Sequence, residues 1–279
     1  MNAQPLPPSC YRHPDLQTRI GCARCGRPIC IDCARPADVG VHCPECAAQP
    51  VAEDGMSPRR RGLGAAQSSV PVTFTVLAVN AAIHLAGMAS RGLQERLFVA
   101  GAQYNPFVAE GEWYRLLTAA FLHSRFTITH ILFNMYALYL FGPPLERESG
   151  SASFAALYVA SALAGGAAYF VSGSDIPAVG ASGAIFGLFG AWLAAAYRNR
   201  HTPRGRAGLR QLLTLLAINA ALPLFIQGIA WEAHAGGLAA GLVIMLAWLG
   251  FGRRSGAAAV RVILAAAVAA ASLAVAILA

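Results

Sequence analysis

Gly180-Ala181-Ser182-Gly183 leads into the apolar run ASGAIFGLFGAWLAAAY, residues 181–197, and a second apolar run, 231–250, carries His234 in its fourth position. Each is close to the roughly 20 residues that carry a helix across about 30 Å of hydrocarbon. A serine and a histidine at membrane depth are costly unless they have partners, which makes intramembrane polar groups candidates for function.

The rest of the chain has the same character. Of 279 residues, 56% are hydrophobic and only 12% are charged, about half the charge of an ordinary soluble domain. Seven apolar stretches can be read, at 71–90, 117–141, 153–172, 181–197, 209–227, 231–250 and 258–279. Barrel strands would be shorter and would alternate, so the predicted fold is an all-α polytopic membrane protein. Asn80 and His84 interrupt the first stretch, and Asn219 and Pro223 the fifth.

The formal net charge is +8, and every one of the 21 basic residues is arginine. The arginines cluster beside apolar stretches, which reads as membrane orientation rather than nucleic-acid binding. Arg59, Arg60 and Arg61 precede the first stretch. The loops at 197–208 (Arg198, Arg200, Arg204, Arg206) and 251–257 (Arg253, Arg254) are basic, and those at 173–180 and 227–230 lack arginine. The loop at 143–150 is mixed, with Glu146, Arg147 and Glu148, and the long loop at 91–116 is an exception, with Arg91, Arg96 and Arg115. The pattern predicts a cytoplasmic N-terminus and an outer C-terminus in the plasma membrane.

With that topology the second, fourth and sixth stretches run in the same direction. Ser182 then falls in the first turn of its helix and His234 near the start of its own, with His130 and Asn134 a few turns in on the second. His130 and Asn134 are spaced i, i+4 and share a helical face. The four residues are expected at comparable depth. His234 can take the proton that makes the Ser182 hydroxyl a nucleophile. The free amides of a helix start, with His130 and Asn134, can donate to an oxyanion. Glu232 is only two positions from His234 and points elsewhere, so a Ser–His dyad is the economical reading. Gly183 with Gly187, and Gly237 with Gly241, are four apart, a spacing that lets helices pack closely in lipid.

At these residues the chain resembles the rhomboid family of intramembrane serine proteases. The motifs are Gly180–Gly183, His130-Ile131-Leu132-Phe133-Asn134, Ala233-His234-Ala235-Gly236-Gly237 with Gly241, and Trp113-Tyr114-Arg115 in the first outer loop. The resemblance covers about 70–250. It implies a six-helix bundle plus one C-terminal transmembrane helix. It also implies Ser182 as nucleophile, His234 as base, and His130, Asn134 and the Ser182 amide as oxyanion donors. Gly180, Gly183, Phe186, Trp113, Arg115 and Gly237 take supporting roles, Phe186 by packing on the histidine. The implied substrates are transmembrane segments of other proteins, and catalysis needs no cofactor.

All seven cysteines lie between Cys10 and Cys46. With no apolar run before residue 70, this segment is expected to stay on the synthesis side, where thiols remain reduced and bind metal. Cys10 and His13, Cys22 and Cys25, Cys30 and Cys33, and Cys43 and Cys46 make eight ligands, enough for two structural zinc ions; His42 is an alternative to a neighbour. Their order resembles cross-braced B-box-type fingers. That resemblance implies Cys10, His13, Cys30 and Cys33 on one ion and Cys22, Cys25, Cys43 and Cys46 on the other. The expected organisation is a disordered lead-in over 1–9, the zinc module over 10–46, a polar linker over 47–69, the protease domain over 70–250, and a loop with an extra helix over 251–279. The module is expected to bind a protein partner or a substrate tail.

Three other readings compete. A non-catalytic scaffold of the same fold would bind client helices, although inactive relatives usually lack the serine or the histidine. A transporter would need polar residues along a whole crossing path, and the inner halves of these stretches are apolar. A nucleic-acid role for the module is disfavoured because Asp15, Asp32, Asp38 and Glu45 offset its arginines. His123 reads as structural or interfacial, His84 has no assigned partner, and Gly165, Gly166 and Gly190 read as packing residues.

Overall fold

A computed structural model describes residues 7–37, 40–48, 69–225, 228–251 and 256–278. Most of the predicted linker with Arg59–Arg61, the first six residues, Asp38, and Arg253 with Arg254 lie outside the described residues. The chain divides into two units, 1–66 and 67–279.

The first unit has little regular structure. Strands β1 (Arg35–Pro36) and β2 (Val41–His42) pair antiparallel, and helix α1 spans Pro44–Ala48. Its core is Ile29, with no exposed surface, and six of the seven cysteines. The Thr18 hydroxyl donates to Ile29 O at 2.8 Å and accepts from Ile20 N–H at 3.0 Å, which closes the loop around that core.

In the second unit, seven long helices among the described residues occupy the seven predicted stretches. They are α2 (Pro71–Ala89), α6 (Ile128–Ser149), α7 (Ser151–Val171), α8 (Ser182–Arg198), α9 (Pro203–Ala221), α10 (Trp231–Phe251) and α11 (Ala257–Leu278). By length and composition, α2, α7, α9, α10 and α11 can each cross a membrane. Helix α8, at 17 residues, is shorter; α6 is diluted by His130, Asn134, Pro143 and Pro144. The chain is a multi-pass membrane protein. Helix α8 is its hub: Gly183 through Ala191 are all buried, against α7, α10 and α6. Helix α9 is peripheral, with only Gly205 and Leu212 buried.

Four sequence expectations are corrected. The 91–116 segment is structured, holding α3 (Arg91–Gly101), α4 (Asn105–Ala109) and the start of α5 (Arg115–Thr118). The second crossing starts at Ile128, not 117. Ser124 bends the chain first, its hydroxyl oxygen accepting from Phe126 N–H at 3.2 Å, a local bond that competes with helix. His130 is therefore the third residue of its helix rather than a few turns in. The predicted 143–150 loop is helix up to Ser149, and the turn into α7 is Gly150 alone, at φ +85°. Arg204 and Arg206 belong to α9, because Thr202 caps that helix, accepting from Gly205 N–H at 3.0 Å, with Pro203 at its first position.

Glu146 explains why the supposed loop is ordered. It is 1% exposed, and its two oxygens accept four hydrogen bonds. These come from Val72 N–H (3.0 Å), Thr73 N–H (2.8 Å), the Thr73 hydroxyl (2.7 Å) and the Ser151 hydroxyl (2.7 Å). Val70 at the start of α2 offers no side-chain cap, so a carboxylate from α6 satisfies the orphan amides of another helix and complements its dipole. Glu146→Ala is expected to destabilise the membrane unit by about 2–4 kcal/mol. Thermal unfolding in detergent will read it as a lowered midpoint; an unchanged midpoint would contradict this role.

Candidate active site

Three helices begin at one point. Ser182 is the first residue of α8, His234 the fourth of α10 and His130 the third of α6. His234 Nε2 lies 2.8 Å from Ser182 Oγ. The His234 ring stacks on Phe186, with centroids 4.2 Å apart and planes 7° from parallel. Among the described residues no carboxylate bonds to His234; the aromatic face, not an acid, fixes the ring. When the Ser182 hydroxyl donates to Nε2, the ring proton sits on Nδ1.

His130 is oriented from the other side. Ser124 N–H donates to its Nδ1 at 3.2 Å, which leaves Nε2 as the protonated, donating nitrogen. That nitrogen points at Gly180: a Cβ there would sit 2.8 Å from His130 Nε2 and 3.6 Å from Ser182 Oγ. Gly180 also holds φ +134°, outside the range of side chains. The first helical bond of α8 is Ile185 N–H to Ala181 O at 3.0 Å, so the amides of Ser182, Gly183 and Ala184 remain first-turn donors. Asn134, 7% exposed, gives one amide N–H to His130 O at 2.8 Å and keeps a second. The His130 Nε2 donor and the first-turn amides of α8 thus lie beside the Ser182 hydroxyl, at the positive ends of α6 and α8.

The approach of α8 to α10 is glycine-only. A Cβ at Gly237 would lie 1.9 Å from Gly183 O, and one at Gly241 1.8 Å from Gly187 O. Gly190 meets Leu238 O at 2.2 Å in the same way, and Gly165 of α7 meets Ala233 O at 2.8 Å. The packing role expected of Gly165 and Gly190 accords with this.

The chain matches the family model described as Rhomboid domain over residues 110–251. It is 41% identical over 143 residues to the protein named "Putative rhomboid protease YdcA" of Bacillus subtilis (strain 168), covering 50% of this chain and 70% of the relative. It is 40% identical over 147 residues to "Rhomboid protease GluP" of the same organism, covering 53% of this chain and 28% of the relative. A plant relative, "RHOMBOID-like protein 9, chloroplastic" of Arabidopsis thaliana, is 37% identical over 109 residues, or 39% of this chain and 24% of its own length. The chain belongs to the rhomboid family.

In this rhomboid, the hydrogen bonds of Arg115 go to Val99, Ala102 and Glu112 and none goes to Ser182. Arg115 is 4% exposed. It donates to Val99 O and Ala102 O, both at 2.8 Å, and to Glu112 at 2.6 Å, and it stacks over Phe107. It thereby closes the C-terminal end of α3 and fixes the segment between α2 and α6. Bonds from the Tyr114 hydroxyl and Arg115 hold the Glu112 carboxyl below its usual range. Trp113 is 40% exposed. Sequence reasoning missed Gln103 and Asn105, both buried. Gln103 pairs backbone to backbone with Ala178, and its amide donates to Gly166 O at 2.8 Å; Asn105 donates to Tyr169 O and Ser174 O, both at 2.9 Å. With Gly180 N–H donating to Ala119 O at 2.9 Å, they anchor the loop that delivers Ser182. Their signal was two adjacent amides flanking Tyr104 in apolar surroundings.

In the N-terminal unit two quartets could each hold a metal ion: Cys10, His13, Cys30 and Cys33, and Cys22, Cys25, Cys43 and Cys46. His13 Nδ1 lies 3.8, 3.3 and 3.5 Å from the sulfurs of Cys10, Cys30 and Cys33, and Cys25 Sγ lies 3.8 Å from Cys43 Sγ. The edges of a tetrahedral zinc site with N and S ligands are about 3.5–3.8 Å. Amide donors support the sulfurs, with Cys43 N–H to Cys22 Sγ at 3.2 Å and Cys46 N–H to Cys43 Sγ at 3.4 Å. His42 is in neither quartet.

Replacing Gly237 by valine is expected to force α10 off α8 and lower stability by about 3 kcal/mol or more. Gly250→Val, where a Cβ meets nothing within 4 Å, is the control. Equal unfolding midpoints for the two variants would contradict the glycine-only contact.

Proposed function

We propose that the chain is an intramembrane serine endopeptidase that hydrolyses peptide bonds in or near transmembrane segments of other membrane proteins. The observation that carries this reading is the 2.8 Å approach of Ser182 Oγ to His234 Nε2, with the ring held on Phe186. His234 takes the Ser182 proton as Oγ attacks the carbonyl carbon. The oxyanion accepts from His130 Nε2–H, the second Asn134 N–H and the Ser182 amide, where helix dipoles also favour negative charge. His234 then protonates the departing amine, and water repeats the sequence on the ester. Relatives named rhomboid protease support the class of activity.

The domain division carried by this reading is a metal module over 10–46, a protease domain over 70–250 and one further crossing after it. The enzyme sits in the plasma membrane with its N-terminus cytoplasmic and its C-terminus outside. The module carries two structural zinc ions, one per quartet, which supply folding energy that so short a segment lacks. Its spare surface takes a protein partner.

A fluorophosphonate probe is expected to label the detergent-solubilised wild type at Ser182 and to leave Ser182→Ala and His234→Ala unlabelled. Labelling that survives in Ser182→Ala would remove the nucleophile assignment. Metal analysis of the purified chain is expected to give two zinc ions, falling to one in a Cys22→Ser, Cys43→Ser double variant. A metal-free, folded module would contradict the zinc reading.

A further inference from the structure

The two quartets of the N-terminal unit differ in the one ligand that each exposes. In the first, Cys10, Cys30 and Cys33 are buried and His13 is exposed; in the second, Cys22, Cys43 and Cys46 are buried and Cys25 is exposed. Of the seven cysteines, Cys25 alone is exposed. The exposed ligand closes the first pair of its quartet in both cases, and it sits at a turn. His13 N–H donates to Cys10 O at 3.1 Å, and Gly26 N–H, just beyond Cys25, donates to Cys22 O at 2.8 Å. Gly26 holds φ +75° and has open space where a Cβ would stand, so no side chain at that position covers the sulfur. The buried sulfurs are also engaged from within: Cys22 Sγ accepts from Cys43 N–H and Cys43 Sγ from Cys46 N–H. Cys25 Sγ is thus open to solvent and 3.8 Å from a second sulfur, Cys43 Sγ. Thiolate character, exposure and a neighbouring thiol are what make a cysteine sensitive to peroxide. Metal ligation supplies the first of these by removing the thiol proton.

We propose that Cys25 is a peroxide-sensitive modification site whose oxidation releases the ion of the second quartet while the first keeps its own; the inference rests on the zinc reading of the quartets. The Cys25 sulfur attacks one oxygen of hydrogen peroxide, the O–O bond breaks, and hydroxide departs to leave a sulfenic acid. Cys43 Sγ then attacks that sulfur, the S–S bond forms, and the S–O bond breaks with a second hydroxide leaving. Two thiolates give up two electrons, one peroxide takes them, and two protons from solvent complete two waters. The second quartet is left with two ligands of its four, too few for a structural zinc site. Strand β2 and helix α1, on either side of Cys43, then lose their anchor. In the first quartet the exposed position is an imidazole, which forms no disulfide, and the three sulfurs are buried. Thiol reductant reverses the S–S bond, so the change in the module is reversible.

The test uses the full chain in detergent with hydrogen peroxide as the oxidant. A chromogenic chelator reads released zinc, and peptide mass mapping reads disulfides. The wild type is expected to release one of its two ions and to form a Cys25–Cys43 disulfide, with thiol reductant and added zinc restoring the starting state. Cys25→His, which keeps a ligand and removes the exposed sulfur, is expected to release that ion about tenfold more slowly. His13→Cys, which gives the first quartet an exposed thiol, is expected to release both ions. Loss of both ions together from the wild type, no loss at a dose that fully oxidises a free thiol peptide, or equal rates in wild type and Cys25→His would overturn the proposal. Should Cys25→His fail to hold two ions, the comparison of wild type with His13→Cys decides, and one ion lost from each would overturn it. A folded wild type that carries no zinc before oxidation would instead sink the zinc reading and the switch with it.

Discussion

Ser182 and His234 are 52 residues apart, on different helices, and they meet only because α8 and α10 touch backbone to backbone. A single methyl at Gly237 or Gly241 would stand within 2 Å of a carbonyl oxygen of α8. No rearrangement of side chains relieves such a contact; the helices must part. Lipid offers no hydrophobic drive between helices, so this closeness rests on dispersion and shape. The stacking of Phe186 on His234 and the 2.8 Å Ser182–His234 contact inherit their geometry from it.

Everything else holds the third helix start against that pair. The segment between α2 and α6 is locked by Arg115 beneath the end of α3 and by Gln103 and Asn105 against the loop before Ser182. That loop can pass close to His130 because residue 180 is a glycine at positive φ. At the opposite end of α6, Glu146 fastens α2 through four hydrogen bonds. Polar residues at the helix ends of this bundle tie backbone to backbone. The result is a rigid frame around a serine hydroxyl with several unspent donors beside it, the arrangement that electrostatic stabilisation of an oxyanion calls for.

Much of this was legible in the sequence. The seven apolar runs gave the long helices, because hydrocarbon thickness fixes their length. Ser182, His234 and His130 could be placed at one depth from topology alone. Two things were hidden. Helix ends depend on hydrogen bonds between distant segments: Glu146 read as a loop charge because its partners, Val72 and Thr73, lie more than 70 positions away. Local bonds also reset boundaries, as when Ser124 stopped an apolar run and Thr202 started a helix early. The cysteine spacing gave the ligand types, and the fold brought alternate pairs together, although spacing alone left the pairing open.

The central claim is that this frame makes Ser182 cut peptide bonds inside the membrane. The direct measurement is co-reconstitution of the full chain with a single-span membrane protein in liposomes, with fragment masses read by mass spectrometry. The account predicts two fragments joined by one cut in or near the span, formed by wild type and absent with Ser182→Ala. An intact span beside wild-type enzyme that is folded and labelled at Ser182, across a panel of spans that a rhomboid relative cuts, would contradict it and favour a scaffold that binds helices without cleaving them.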